Sequence, residues 1–485
     1  MVLEVAADFL AQSLVDVGVK NVFGGHGGAL VPLVNAVVNH PDLTWVCTRN
    51  EANASLMAAA DSKLTGAGRM GACIATSGPG ASNLLTGLLD AQLDRVPVIA
   101  ITGAKPRSDS LHSEFQDIDQ ARIFAAGGLA YSVTVSDPLQ LVALMRDAVA
   151  IALTQRVCVH VAVPVDIQGM QIQAPEHLCS AMGIRRRLEL SQIHTGILDD
   201  VAAHVSKPDE RVVIALGLDA RDVGNTVLEL AEVLGAPVVT RLDAKGAVDE
   251  SHPLAMGVVG VHGKPGLEDA AAVIAESTLV LALGVGDLSV LLCDAYGLQV
   301  RPMIEVAMDS YGLSTRFRAV QSLIAHPSLF CQELIERLTI ETTSPTSRTT
   351  RRVTRVPPPT ATGTAVRPPN ITSIPAKGMA TGSELKPPAG APKGSSLWDS
   401  AIKPGVWKEP WARHRQHTKR APPRKGCCQP DELLRMLSDH VREQDVVCID
   451  TGDITLWASS CLCLRHGTTT LSSERLGTMG YGFCA

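Results

Sequence analysis

Apolar positions along the first hundred residues switch between two periods. Val5, Phe9, Leu10, Leu14 and Val17 recur near helical spacing, which predicts an amphipathic helix from Val5 to Val17, almost at the start of the chain. Val19 to Phe23 then predicts a short strand running into the loop Gly24–Gly28. A strand at Trp45–Cys47, a helix over Ala52–Leu64, a strand at Met70–Ala75, a Gly-Pro-Gly turn, a helix from Ser82 and a strand at Val96–Thr102 follow in turn. Strands spaced by helices imply a parallel sheet with crossover connections. In such a sheet the ligand crevice lies beyond the carboxyl ends of the strands, where these glycine turns fall.

A second set opens with Arg211–Leu218 and includes Ala236–Thr240 and Leu279–Gly284, read as buried parallel strands. Further on, Pro430 starts a helix over Asp431–His440, and Asp445–Asp450 reads as the first strand of a third sheet. The predicted class is therefore α/β, with two domains of mostly parallel sheet flanked by helices and the beginning of a third. Residues 1–172, 190–340 and 427–485 would form these units.

Composition changes this picture in one place. Residues 342–425 carry 16 Lys and Arg against 3 Asp and Glu, and 14 of the chain's 29 prolines. Proline removes donors and fixes φ, and Ser, Thr and Lys give little to bury, so this basic stretch is expected to be a mostly disordered linker. Trp398, Trp407 and Trp411 are too apolar for a pure spacer and are expected to lie against a folded surface. Outside the linker the balance is acidic, and the net charge is −6 over 485 residues, which argues against a nucleic-acid partner. No apolar run is long enough to span a membrane. The start, Met1–Val5, has neither a basic nor an apolar leader region, so no targeting segment is expected and the compartment is read as cytoplasm or organellar lumen. The twelve cysteines follow no disulfide or zinc spacing; Cys427-Cys428 and Cys461-Leu462-Cys463 are the tightest sets, and free thiols in a reducing compartment are expected.

Three features of the first unit could carry chemistry together. Glu51 stands at a strand-to-helix junction, followed by Ala52, Ala54, Ala58, Ala59 and Ala60, so its carboxylate is expected to be partly desolvated and able to hold a proton near neutrality. Thr76–Asn83 joins a strand to a helix; Gly78 and Gly80 let backbone approach a flat ligand while Pro79 stiffens the turn. The Gly24–Gly28 loop, with Gly25 and His26, closes the same sheet edge. On the residues alone this is a binding crevice with one acid, and a purely structural Glu51 remains an alternative.

The motifs Phe23–Leu33, Arg49–Ser55, Thr65-Gly66 and Ala75–Gly87 occur in order, and Val96–Gly103, Glu114–Asp117 and Val159–Gln168 continue the pattern. Together they resemble the pyrimidine-binding domain of thiamine-diphosphate enzymes of the acetolactate synthase type. His252–Gly263 is similar to that family's middle domain, and Arg475–Ala485 to the opening of its diphosphate-binding domain. The resemblance implies that Glu51 pairs with the aminopyrimidine of bound thiamine diphosphate, within a slot shaped by Gly25, His26, Thr76, Gly78, Pro79, Gly80 and Asn83. Gln116 would stand near the reacting carbon, or else be a capped surface amide. Gly477 would offer a backbone carbonyl to the ring, and Met479 would wedge it into a bent form, though a plain core methionine would read the same way. His26 replaces the proline usual in this loop and would meet substrate or make a local hydrogen bond.

The resemblance further implies decarboxylation of a 2-oxo acid such as pyruvate and transfer of the two-carbon unit to a second 2-oxo acid. It implies a homodimer or homotetramer too, because the family's cofactor lies between subunits. Departures limit it. The family holds Mg²⁺ and the diphosphate with a Gly-Asp-Gly turn; Gly452-Asp453 and Gly286-Asp287 lack the second glycine, so no metal ligand is assigned and the chain is expected to be an incomplete form that binds the cofactor weakly. The family's Gln-His is replaced by Asp453-Ile454, and its Arg-Phe-Asp-Asp-Arg run is missing after Leu283-Gly284, which argues against FAD. Two alternatives stay open: a 2-oxo acid decarboxylase, suggested by Thr451-Gly452-Asp453, and a non-catalytic homologue.

Overall fold

The computed structural model describes residues 2–65, 69–110, 114–175, 178, 193–261, 264–266, 268–286, 302–310, 313, 319–343, 429–473 and 475–485. The predicted linker, its three tryptophans and Cys427-Cys428 lie outside the described residues.

The chain opens with strand β1 (Val2–Val5), which takes the first residue, Val5, of the predicted helix. It pairs antiparallel with β8 (Gln171–Ala174), so a partner far along the chain overrides the local helical period at Val5. Helix α1 (Ala6–Asp16) follows and buries Phe9, Leu10 and Leu14.

Six strands build the first sheet: β2 (Asn21–Gly24), β3 (Thr44–Cys47), β4 (Gly71–Ala75), β5 (Val98–Ala104), β6 (Tyr131–Thr134) and β7 (Cys158–Pro164). They lie in the order β3-β2-β4-β5-β7-β6, every pair parallel. Strands β4, β5 and β7 are buried along their whole length, as expected where helices cover both faces of a parallel sheet. Close packing of sheet on helix and loop demands glycine at two places: a Cβ at Gly71 would overlap the Ala58 carbonyl, and one at Gly103 the Ala29 carbonyl. The chain leaves β2 in one direction toward β3 and then returns to build β4 and β5 on the other side. Its topological switch point therefore lies between β2 and β4.

A second sheet holds β9 (Val212–Leu216), β10 (Val238–Thr240), β11 (Ala255–Val261), β12 (Lys264–Gly266), β13 (Leu279–Leu283), β14 (Met303–Ala307) and β15 (Ala319–Ile324). Its order is β12-β11-β10-β9-β13-β14-β15, parallel except for β12. Residues 429–485 add helix Pro430–His440, the parallel pair β16 (Val446–Cys448) and β17 (Thr469–Leu471), and helices Asp453–Cys461 and Tyr481–Cys484. This segment packs against both larger sheets' domains. Leu471, Tyr481 and Cys484 bury against Leu56 and Ala60, and Ile449 and Ala458 against Leu242 and Val258. Among the described residues the cysteines are free thiols, and no helix is long and apolar enough to cross a membrane.

Candidate functional site

The carboxyl ends of β3, β2 and β4 are neighbours, and each delivers one component of the predicted crevice. Beyond β3, Asn50 caps helix α3 (Glu51–Leu64): its side chain accepts the Ala52 N–H at 2.8 Å. That cap fixes where the helix starts, and so fixes Glu51 in its first turn. Beyond β2 runs the glycine loop, and beyond β4 the turn Thr76–Gly80 leads into a helix that begins at Pro79, three residues before the predicted Ser82. A proline at the first helical position costs no hydrogen bond there, which is why the helix starts early.

The parts meet at the Glu51 carboxylate. Asn83 donates from Nδ2 to Glu51 Oε2 at 3.0 Å. The other oxygen, Oε1, faces a gap between two glycines: a Cβ at Gly25 would lie 3.6 Å from it, and one at Gly80 3.4 Å. Thr76 forms the floor, so close that a Cβ at Gly27 would come within 2.5 Å of its side chain and one at Gly80 within 2.8 Å. The Thr76 hydroxyl is buried and has no hydrogen-bond partner, so a polar group of a ligand could satisfy it.

Gln116 closes the remaining side. It adopts φ 62°, which is costly without glycine, and it packs on Gly78, itself at φ 69°. A Cβ on Gly78 would stand 2.8 Å from the Gln116 Cβ. Glycine takes that backbone freely, so only Gln116 is strained, and nothing in sequence spacing foretold its left-handed backbone. Its side chain makes no hydrogen bond among the described residues. His26 is exposed and likewise lacks a local hydrogen bond among the described residues.

Glu51, Gly25, Thr76, Gly78, Gly80, Asn83 and Gln116 are therefore brought together, with Pro79 in the turn and His26 at the rim. Gly477 and Met479 are not. Gly477, at φ 69°, lies beside Thr451, and the Thr478 N–H donates to the Ser473 hydroxyl at 2.8 Å. Met479 is 82% exposed, which rules out a core methionine. Leu476, Phe483 and Ile454 are exposed with it.

The glycine gap, the single carboxylate oxygen facing it and the orphaned Thr76 hydroxyl fit a flat heteroaromatic ring with polar edges. Among the described residues no three His, Cys, Asp or Glu side chains are placed to hold a metal ion. Asp453 starts a helix after Gly452, and the residues after Gly286 that bear on FAD fall outside the described residues.

Sequence reading missed a second polar centre, at the far end of α3. Lys63 is buried and donates to Asp94 at 2.7 Å, to the Ser472 carbonyl at 3.0 Å and to the Tyr481 hydroxyl at 3.1 Å. The available signal was a lysine on an Ala-rich helix.

Two sequence profiles match the chain. The profile for the N-terminal TPP binding domain of thiamine pyrophosphate enzymes covers residues 5–123, and that for their central domain covers residues 198–334. The chain is similar to a probable acetolactate synthase large subunit of Methanococcus aeolicus, 29% identical over 68% of this chain and 55% of the relative. It is also similar to a probable acetolactate synthase large subunit of Methanocaldococcus jannaschii, at 33% over 57% of this chain and 46% of the relative. An acetolactate synthase of Arthrospira platensis is 33% identical over 57% of this chain and 48% of the relative. The chain spans about half the length of these curated relatives. Two ordered profile matches, each lying on one of the two large parallel sheets, establish that the chain belongs to the thiamine pyrophosphate enzyme family.

Proposed function

We propose that the chain is the pyrimidine-binding and middle part of a thiamine-diphosphate-dependent 2-oxo acid carboligase of the acetolactate synthase type, acting on pyruvate and a second 2-oxo acid. The observation that carries the reading is the Glu51 carboxylate: one oxygen is held by Asn83, and the other is left facing a slot between Gly25 and Gly80. When bound, the cofactor supplies a nucleophilic carbon and an electron sink for decarboxylation.

This chain's residues would do the rest. Glu51 would hold or exchange a proton at Oε1 with a ring nitrogen, oriented by Asn83. Gly25, Gly78 and Gly80 would leave room for the ring, the Thr76 hydroxyl would meet a polar edge, and Gln116 would face the reacting carbonyl. Gly477 and Met479 sit on an exposed, partly apolar surface away from this crevice. That supports a homodimer or homotetramer in which each crevice receives the corresponding turn of a second copy. Mg²⁺ would enter with the diphosphate, and no residue of this chain is assigned to it.

The test is a product assay with pyruvate at saturating thiamine diphosphate and Mg²⁺, run on a form of the protein that also carries the family's Gly-Asp-Gly diphosphate segment. Acetolactate is expected, and Glu51→Gln should lower its formation by about 10²-fold or more while leaving the fold intact. Acetaldehyde as the main product would replace the carboligase reading with the decarboxylase one. A Glu51→Gln variant at near-normal rate would remove Glu51 from the mechanism.

A further inference from the structure

A cluster of buried ionisable groups lies outside the crevice, where α3, the helix Leu85–Leu93 with Asp94 after it, and residues 469–473 and 475–484 meet. Lys63, buried, is shared unequally between two carboxylates. Asp94 takes the close contact at 2.7 Å, whereas Asp90 stays 3.7 Å away. Lys63 also stands 4.7 Å from the centre of the Tyr481 ring. From the middle domain, Arg221 donates to the Lys63 carbonyl and to that of Thr470. Asp243, paired with Arg241 at 2.8 Å, and Arg475 face this junction too, as do Asp219 and Asp222 beside Arg221, and the buried Cys158 thiol of β7 faces Asp90.

Asp90 holds the weakest position. It is fully buried, and its Oδ2 makes no hydrogen bond. Its Oδ1 accepts a short hydrogen bond from the Ser473 hydroxyl. That same Ser473 oxygen accepts the Thr478 N–H at 2.8 Å. A chain of two hydrogen bonds therefore runs from Asp90 to the turn that holds Gly477 and Met479.

We propose that Asp90 is a positioning residue for the 477–479 turn, acting through Ser473, and that protonation of Asp90 tightens the docking of residues 469–484 onto α3. The importance of that turn for chemistry rests on the function proposed above; the docking claim does not.

The sign follows from burial. Desolvation raises the Asp90 carboxyl to about 6, reinforced by the like charge of Asp94 and opposed by Lys63 and the Ser473 hydrogen bond. A carboxyl whose value is raised in the docked state favours docking fully at low pH, and that contribution is lost as pH rises through about 6. Acidification should therefore close this junction.

The experiment is hydrogen exchange on the full chain without cofactor, corrected for intrinsic rates and read at the amides of Thr478 and Gly482–Ala485. From about pH 7.5 to about pH 5, protection should rise roughly tenfold, as one proton linked over about one pH unit requires. Asp90→Asn should be protected to the acidic level at both pH values. Ser473→Ala should lower protection at Thr478 at both pH values by removing the acceptor of that amide, while the pH response at Gly482–Ala485 persists. Protection that is flat or falls on acidification, or an unchanged slope in Asp90→Asn, would overturn the proposal. Should that variant not fold, carboxyl NMR of the wild-type chain decides: a midpoint near 6 for Asp90 is expected, and one below about 4.5 would overturn it. Because no substrate or cofactor is present, these results stand whatever becomes of the carboligase reading.

Discussion

Helix α3 joins two polar centres of opposite character. At its N-terminus Glu51 is half-buried, and its Oε1, without a hydrogen bond among the described residues, lies beside Gly25 and Gly80. At its C-terminal end Lys63 is buried, and its three donors are all taken. The twelve-residue separation corresponds to roughly 18 Å of helix. A centre that is to bind something must keep valence unspent and needs space made by glycine. A centre that is to hold the fold must spend it all, because a buried charge left unpaired is costly. The contrast separates function from structure here more clearly than burial alone does.

The largest effect should come from breaking the satisfied centre. Lys63→Met removes the cation and leaves Asp94 and Asp90 buried beside Tyr481. A loss of about 3–5 kcal/mol in chemical denaturation is expected, with residues 469–484 losing hydrogen-exchange protection before β5 and β7 do. A loss below about 1 kcal/mol would mean that water or a rearranged arginine already compensates the carboxylates.

A smaller effect sharpens the comparison by pH. His160 on β7 is fully buried, bonded to Thr102 at 2.7 Å and to Ser132 at 2.9 Å, and stacked 4.0 Å from the Phe124 ring. Ser132 donates to the Ala121 carbonyl, so its oxygen is left to accept from Nδ1–H, and the Thr102 hydroxyl donates to Nε2. Burial pushes His160 down to about 3, keeping the ring neutral in the folded chain. A base lowered in the folded state contributes stability that is present above about 6.5 and is lost as pH falls toward 3. The first domain should therefore lose up to roughly 1.4 kcal/mol per pH unit over that window, measured by urea unfolding at several pH values. His160→Gln should flatten the slope. Acidification would then weaken the sheet core while tightening the Asp90 junction.

The crevice was largely legible in the sequence because its parts are local. Each is a short turn after a strand: Gly24–Gly28 after β2, Asn50-Glu51 after β3, Thr76–Gly80 after β4. The alternation of strand and helix that places them on one edge is also a local signal. What escaped depends on residues far apart in the chain. β1 pairs with residues 171–174, and no strand was read over Val2–Glu4. Gln116 takes a left-handed backbone because Gly78 makes room for it. The Lys63 centre joins α3 to residues 472–481, a contact that no periodicity encodes.

The most direct test of the account is a crystal structure, with thiamine diphosphate and Mg²⁺, of a form of the protein that also carries the family's Gly-Asp-Gly diphosphate segment. The aminopyrimidine is expected between Gly25 and Gly80, with a ring nitrogen about 2.6–3.2 Å from Glu51 Oε1. A ring bound elsewhere, or a Glu51 carboxylate turned out of the slot with Asn83 released, would contradict it.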